Sequence, residues 1–467
     1  MFRIFLLLIL VFTGLSCSTQ RNLDFSTTIR FEYSHVGHAW EEKVVPDRWV
    51  TEGPWPGPED LSDSLAGHAL YRAELKIMNS GTVLYATEFN SIFGEYKTTQ
   101  DGLDSVVQIF RESVRFPKPV VSADLVLSVW NDSLGIFHPM LSLRVPDSGL
   151  VPFSPPVRQV GRDFFLSGEP QGKVDVLILG DGYTEADTAK FFNDAGRLSG
   201  HLFNTEPFLS MKDRFNLRAA MIPSETEGIP DPVNQKWAQG PLGFTYNFFN
   251  SDRYILSSDP GMIMNLAASY PWDVLLVLVN SRKYGGGGIY NLYAVSASDN
   301  EQSPYVFIHE FGHSFAGLGD EYYTSQIAYV VKAGPEPREP NLSSLPGGRP
   351  KWESLLSPGV RIPTPWNQSG YDSAMVEIQK KRRELTASGA PVSEMEALFR
   401  HEKQLTRFFL SPDSLMGITG AFEGGGYLAK GVYRPEIDCI MFSRNRPAFC
   451  KVCESEIRKR IEKLSRN

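Results

Sequence analysis

Between residues 25 and 145, hydrophobic and polar positions alternate in short runs rich in β-branched and aromatic residues. Strands are predicted at about 27–33, 70–78, 82–89, 106–110, 123–130 and 140–145, separated by turn-forming clusters such as Asn79-Ser80-Gly81 and Asn131-Asp132-Ser133. Short strands at this spacing predict an all-β sandwich over 23–150. The Pro-rich stretch Val151-Pro152-Phe153-Ser154-Pro155-Pro156 marks a linker. Beyond it the pattern changes to continuous apolar runs at 174–179, 215–222, 273–279 and 290–295, which read as strands buried on both faces. Thr184, after Gly180-Asp181-Gly182-Tyr183, is placed to cap a helix running to about 198. Strands interleaved with helices predict an α/β layer in a second domain over 151–467, and so an α+β chain as a whole. Residues 334–365 are Pro-rich and irregular, polar helices are expected at 373–387 and 393–409, and a charged helix at 453–464 closes the chain.

The first sixteen residues carry one charge, Arg3, then an apolar run over 4–12 and small residues ending at Cys17. That run is too short to span a bilayer and reads as an export signal. Gly14-Leu15-Ser16-Cys17 is similar to a bacterial lipobox, so the expectation is a chain outside the cytoplasm, lipid-anchored at Cys17 or, failing that, secreted. A formal net charge of −8 excludes nucleic acid as a natural partner. The basic run Lys380-Lys381-Arg382-Arg383 sits among glutamates and reads as a solvated helix face. Beyond Cys17, Cys439, Cys450 and Cys453 remain, and an exported chain is expected to form one disulfide with Cys439 as a partner. A zinc knuckle needs a fourth ligand nearby, and none is visible.

Residues 309–320 change the picture most: His-Glu-Phe-Gly-His-Ser-Phe-Ala-Gly-Leu-Gly-Asp. On a helix, positions four apart lie about 40° apart around the axis, so His309 and His313 can reach one ion while Glu310 stays free as a base. With only 8 histidines in 467 residues, an H-E-x-x-H match arises by chance at roughly the one-per-cent level. Pro304 stands where a helix can start, and Tyr305-Val306-Phe307-Ile308 is an apolar run fit for burial. His401-Glu402 lacks a second histidine at that spacing and reads as a solvated face.

Catalytic zinc takes three protein ligands and leaves a position open. In metzincins the third ligand follows the second histidine by six residues, past a glycine. Here Ala316 and Gly319 occupy those places, and moving the pattern by one residue puts Gly317 at the turn and Asp320 at the ligand, with Glu321 the other candidate. Three further features carry alternatives. Met441, in Cys439-Ile440-Met441-Phe442, is either the methionine turn beneath the metal or ordinary core; Tyr433 either stabilises an oxyanion or packs. Gly285-Gly286-Gly287-Gly288 is either a flexible loop or an edge strand that lets another backbone come close, and Asp181 reads as the cap of the following helix.

Taken together, Gly180-Asp181-Gly182-Tyr183-Thr184, His309-Glu310-Phe311-Gly312-His313, Gly317-Leu318-Gly319-Asp320-Glu321-Tyr322 and Tyr433-Arg434-Pro435 resemble the bacterial IgA-peptidase family of zinc metallopeptidases. Phe93-Gly94-Glu95-Tyr96 and Val114-Arg115-Phe116-Pro117 are similar to that family's N-terminal β domain. The resemblance implies a metzincin-like zincin domain behind the β-sandwich and one catalytic Zn2+. It implies an endopeptidase acting on protein or peptide substrates, host glycoproteins or immunoglobulins among them. It supports His309 and His313 as ligands, Glu310 as the catalytic residue, and favours Asp320. The competing readings are a surface binding lipoprotein with an inactive zincin domain, and a zinc hydrolase of non-peptide amides.

Overall fold

The computed structural model describes residues 22–59, 67–325, 327–331 and 334–465; the export signal and Cys17 lie outside them. No helix among the described residues is long and apolar enough to cross a membrane. The N-terminal part is two four-stranded sheets. One has the order β5-β1-β2-β8, from β1 (Leu23–His38), β2 (Glu41–Glu52), β5 (Gln108–Pro119) and β8 (Val151–Pro152). The other runs β4-β3-β6-β7, from β3 (Tyr71–Ile77), β4 (Val83–Phe89), β6 (Ala123–Asn131) and β7 (Ile136–Arg144). Their facing residues share one core, with Ile29, Phe31 and Phe116 from the first sheet against Tyr71, Leu75 and Leu125 from the second. Strand β2 escapes the sequence pattern because half of its residues are charged and it contains Pro46; a bulge opposite Glu32 and Tyr33 accommodates it. Val151 and Pro152, read as linker, instead extend this sheet alongside β2.

The second part is built on a six-stranded sheet in the order β15-β16-β14-β10-β11-β9. Its strands are β9 (Val160–Leu166), β10 (Val174–Asp181), β11 (Phe215–Met221), β14 (Val274–Val279), β15 (Gly286–Ile289) and β16 (Tyr293–Ala297), with β12 (Phe244–Thr245) and β13 (Leu256–Ser257) pairing beside it. β10, β11, β14 and β16 run parallel, and the two edge strands are antiparallel to them. Every residue of β10 and β14 is buried, as the continuous apolar runs require when both faces are covered.

Short helices α1 (Ile92–Tyr96) and α2 (Gln100–Leu103) interrupt the β domain, and α3 (Thr188–Leu202), α4 (Pro260–Ala267) and α5 (Ser303–Ala316) flank the sheet. The charged helices follow as α6 (Gln368–Ala387), α7 (Val392–Leu410) and α8 (Lys451–Leu464), separated by the hairpin β17 (Phe422–Gly425)–β18 (Leu428–Arg434). Among the described residues between α5 and α6 there are short 3-10 turns and single bridges at Tyr329 and Ser343 but no longer helix or strand, in line with the Pro-rich sequence. Thr184 does form a capping box with Asp187, but around a 3-10 turn that precedes α3. Asp181 is no helix cap. Its buried carboxylate accepts the backbone N–H groups of Gly182, Leu242 and Phe244 at 3.2, 3.1 and 3.1 Å, holding the 240s loop to the end of β10, and burial pushes its pKa up to about 7.

Candidate metal centre and active site

Helix α5 begins with Ser303-Pro304 and ends at Gly317, whose φ of 64° turns the chain in the left-handed region. One face of α5 packs on β15 and β16. A Cβ at Gly288 would stand 2.4 Å from the carbonyl oxygen of Glu310 and 2.9 Å from His313 Cβ, and one at Gly286 would stand 2.6 Å from Val306 Cγ1. The glycine run therefore serves close approach to the motif helix. Gly286 is also paired on its outer side: its N–H donates to Arg253 O and its carbonyl accepts from Ile255, both at 3.1 Å, which removes that position as a free edge for another strand. Beneath the helix, Gly312 leaves room for Met441, whose sulfur would be 3.0 Å from a Cβ there.

The two imidazoles lie with Nε2 atoms 3.2 Å apart. His309 Nδ1 faces the carbonyl of Ile440 at 2.9 Å and His313 Nδ1 faces that of Leu318 at 2.5 Å. A carbonyl only accepts, so each Nδ1 carries a proton, and Nε2 is the atom that each ring turns toward the other. Asp320 Oδ1 meets both, 3.0 Å from His309 Nε2 and 3.3 Å from His313 Nε2. Tyr427 OH donates to the other oxygen, Oδ2. Asp320 Oδ1 is buried and has no hydrogen-bond donor. A carboxylate oxygen of Glu310 lies within 4.8 Å of a nitrogen of each histidine. Burial pushes the Glu310 carboxyl up, opposed by the two histidines. For Asp320, burial is outweighed by His313 and His309, which hold its carboxyl well below the ordinary range.

Two imidazole Nε2 atoms and a carboxylate oxygen converging in a buried pocket suit a divalent cation, and the imidazole-carboxylate donor set suits zinc. The sequence-derived positions thus divide. His309, Glu310, His313 and Asp320 come together. Glu321 turns the other way, fully buried, its Oε1 accepting from Asn341 Nδ2 at 2.9 Å. Tyr433 does not line the cleft. It is held by backbone pairing with Ser343, and its side chain faces Glu423, so the oxyanion role expected of it has no geometric basis.

Tyrosines that do face the centre include Tyr305, whose hydroxyl is 3.3 Å from His309 Nδ1, Tyr322, stacked near His309, and Tyr427. Tyr427 sits with Gly426 in a two-residue turn between β17 and β18; both have positive φ, 65° and 55°, as a tight hairpin demands. The only sequence signal for it was that glycine-rich turn. Glu402, read as solvated, is half-buried on the cleft wall and bonds Arg382 at 2.7 Å and Arg444 at 3.0 Å, which removes both it and Arg382 from the expected solvent face. The cleft holds about 680 Å³, and the β domain contributes to it through His68 and Glu95.

Residues 163–461, well over half of the chain, match the family described as IgA Peptidase M64, and residues 21–137 match Peptidase M64 N-terminus. The chain belongs to the IgA Peptidase M64 family. It is accordingly a member of a metallopeptidase family, and its substrates are proteins or peptides. No curated protein matches the sequence. The M64 match takes in α5, the Asp320 turn and the segment carrying Ile440, and the N-terminal match covers the two sheets as far as β7.

Proposed function

We propose that this M64 member is a zinc endopeptidase in which His309, His313 and Asp320 hold the metal and Glu310 is the general base. The observation that carries the reading is the convergence of His309 Nε2, His313 Nε2 and the donor-less Asp320 Oδ1, with Glu310 alongside. Zinc, when bound there, supplies Lewis acidity that brings a water toward neutral pKa and polarises a carbonyl. Glu310 accepts the proton of the attacking water and passes it to the leaving amine, a role its burial favours by raising its affinity for a proton. Tyr427 holds Asp320 in place, while the carbonyls of Ile440 and Leu318 fix both imidazoles in the ligating tautomer. Arg253, whose Nη2 is 3.5 Å from Tyr322 OH and whose charge acts on Glu310, is a cationic group on the wall suited to a developing oxyanion. Met441 beneath Gly312 and a ligand three residues past the Gly317 turn support a metzincin-like arrangement. The sequence over 1–17 supports export and a lipid anchor at Cys17, and with them a reaction outside the cytoplasm.

Glu310→Gln tests the assignment. On a denatured-protein substrate its kcat is expected to fall by about 10²–10⁴-fold, with zinc content unchanged. Equal rates for wild type and variant would remove peptide hydrolysis at this centre, and leave a binding protein.

A further inference from the structure

The disulfide expected of Cys439 is not formed. Cys439, Cys450 and Cys453 are all free thiols with no exposed surface. Cys439 Sγ and Cys453 Sγ stand 3.9 Å apart, against about 2.05 Å in a disulfide. The fourth member of the group comes from far away in sequence. Glu321 Oε1 lies 3.4 Å from Cys453 Sγ and 4.0 Å from Cys450 Sγ, and ligand atoms of all four residues fall within 4.8 Å of one another. Glu321 Oε2 is buried with no hydrogen-bond partner.

A tetrahedral zinc with Zn–S of about 2.3 Å and Zn–O of about 2.0–2.2 Å separates its ligand atoms by about 3.6–3.8 Å. The observed separations lie around that edge length, as they would not for two thiols joined and a third left over. Pairing any two cysteines would also leave Glu321 a buried carboxylate facing sulfur, with one oxygen orphaned. Cys450 is the N-cap residue of α8 and Cys453 lies in its first turn, so the start of one helix sets both sulfurs; the N–H of Cys450 donates to Cys439 Sγ at 3.2 Å. Asn341 orients Glu321, and Arg434 and Arg446 are near enough to offset part of the negative charge.

We propose that Cys439, Cys450, Cys453 and Glu321 form a second, structural zinc site, closed by four protein ligands. Binding replaces three thiol protons with one Zn2+ and needs no redox partner. The site lies behind the catalytic centre and braces it. Glu321 follows Asp320 directly and donates its N–H to Met441 O at 2.9 Å, while Ile440, next to Cys439, holds His309 through its carbonyl. One ion thereby fastens together the two segments that aim Asp320 and His309.

The site stands or falls separately from the catalytic assignment, and the experiment keeps them apart. Zinc per chain is measured on the full-length protein purified without chelator, alongside His309→Ala/His313→Ala, Cys453→Ser and Glu321→Gln. Two equivalents are expected in wild type, and one in each of the other proteins. The double histidine variant leaves the cysteines intact. After exchange into Co2+ it is expected to show sulfur-to-cobalt charge-transfer absorption in the near ultraviolet, even if Cys453→Ser fails to fold. Loss of all metal with the two histidines, no sulfur-to-cobalt band, or a Cys439–Cys453 or Cys450–Cys453 disulfide in non-reducing peptide mapping would overturn the proposal.

Discussion

Gly288 and Asp320 show how much a single position decides here. The contact between Gly288 and the Glu310 carbonyl leaves no room for a methyl group, and both partners are backbone that cannot swing aside. Gly288→Ala is therefore expected to cost about 1–3 kcal/mol of stability and to lower activity by shifting His313, measured by urea unfolding and by kcat. A stable, fully active variant would mean that α5 is not seated on β15 as described. Asp320→Ala is expected to abolish hydrolysis and to remove one equivalent of zinc; full metal retention would exclude Asp320 from the ligand set. The residues of the H-E-x-x-H motif were legible because a fixed helical spacing is itself a geometry. Tyr427 was not, because nothing near it in sequence names its partner, Asp320, 107 residues away.

Among elements, strand β2 shows what a weak pattern can conceal. Half of its residues are charged, yet its Glu42 sits in a cluster joining three strands and the segment after α1. Glu42 accepts from Tyr71 OH at 2.9 Å, faces His35 Nε2 at 3.1 Å and pairs with Lys97. Burial would raise the Glu42 pKa, but His35 and Lys97 outweigh it and bring the value down to about 2 from an ordinary 4.5. Folding thus gains stability above about pH 4.5 that is lost as the pH falls toward about 2, below which the carboxyl is protonated in folded and unfolded chains alike. Glu42→Gln is expected to lower stability at neutral pH and to flatten its decline between those two values, followed by denaturant midpoints across that range. An unchanged slope would show that the cluster does not couple to folding. Alternation and apolar runs revealed the strands that face a core. They missed β2 and β9 and left the all-glycine start of β15 open between loop and edge strand, because the strand character of all three comes from neighbours and not from their own side chains.

At the level of the whole molecule, the β domain is part of the cleft. Val330 N–H donates to Thr98 O at 2.9 Å, and Glu95 lines the cavity beside the metal centre. Asn291 is one joint between the two parts. Its Nδ2 donates to Thr87 Oγ1 at 3.0 Å and to Glu88 O at 2.9 Å, its Oδ1 accepts from Arg460 of α8 at 3.1 Å, and its φ of 56° suits asparagine better than most residues. Asn291→Ala is expected to cost about 1–3 kcal/mol and to split or broaden the unfolding transition in calorimetry as the β domain loosens. A single transition at the wild-type temperature would mean that the domains are held elsewhere.

The sequence by itself determined what depends on neighbours along the chain: the β-rich and α/β halves, the helix that sets His309 and His313 on one face with Glu310 beside them, and the glycine at 317 that lets the chain turn toward Asp320. These follow from the period of a helix or strand and the steric freedom of one residue type. Only the tertiary structure decided which of Asp320 and Glu321 faces the histidines, that Tyr427 and not Tyr433 reaches the centre, and that three cysteines gather around Glu321 without a disulfide. Those outcomes join residues more than a hundred positions apart. They are set by how the β17–β18 hairpin and α8 pack against the end of α5, a relation that no local pattern encodes.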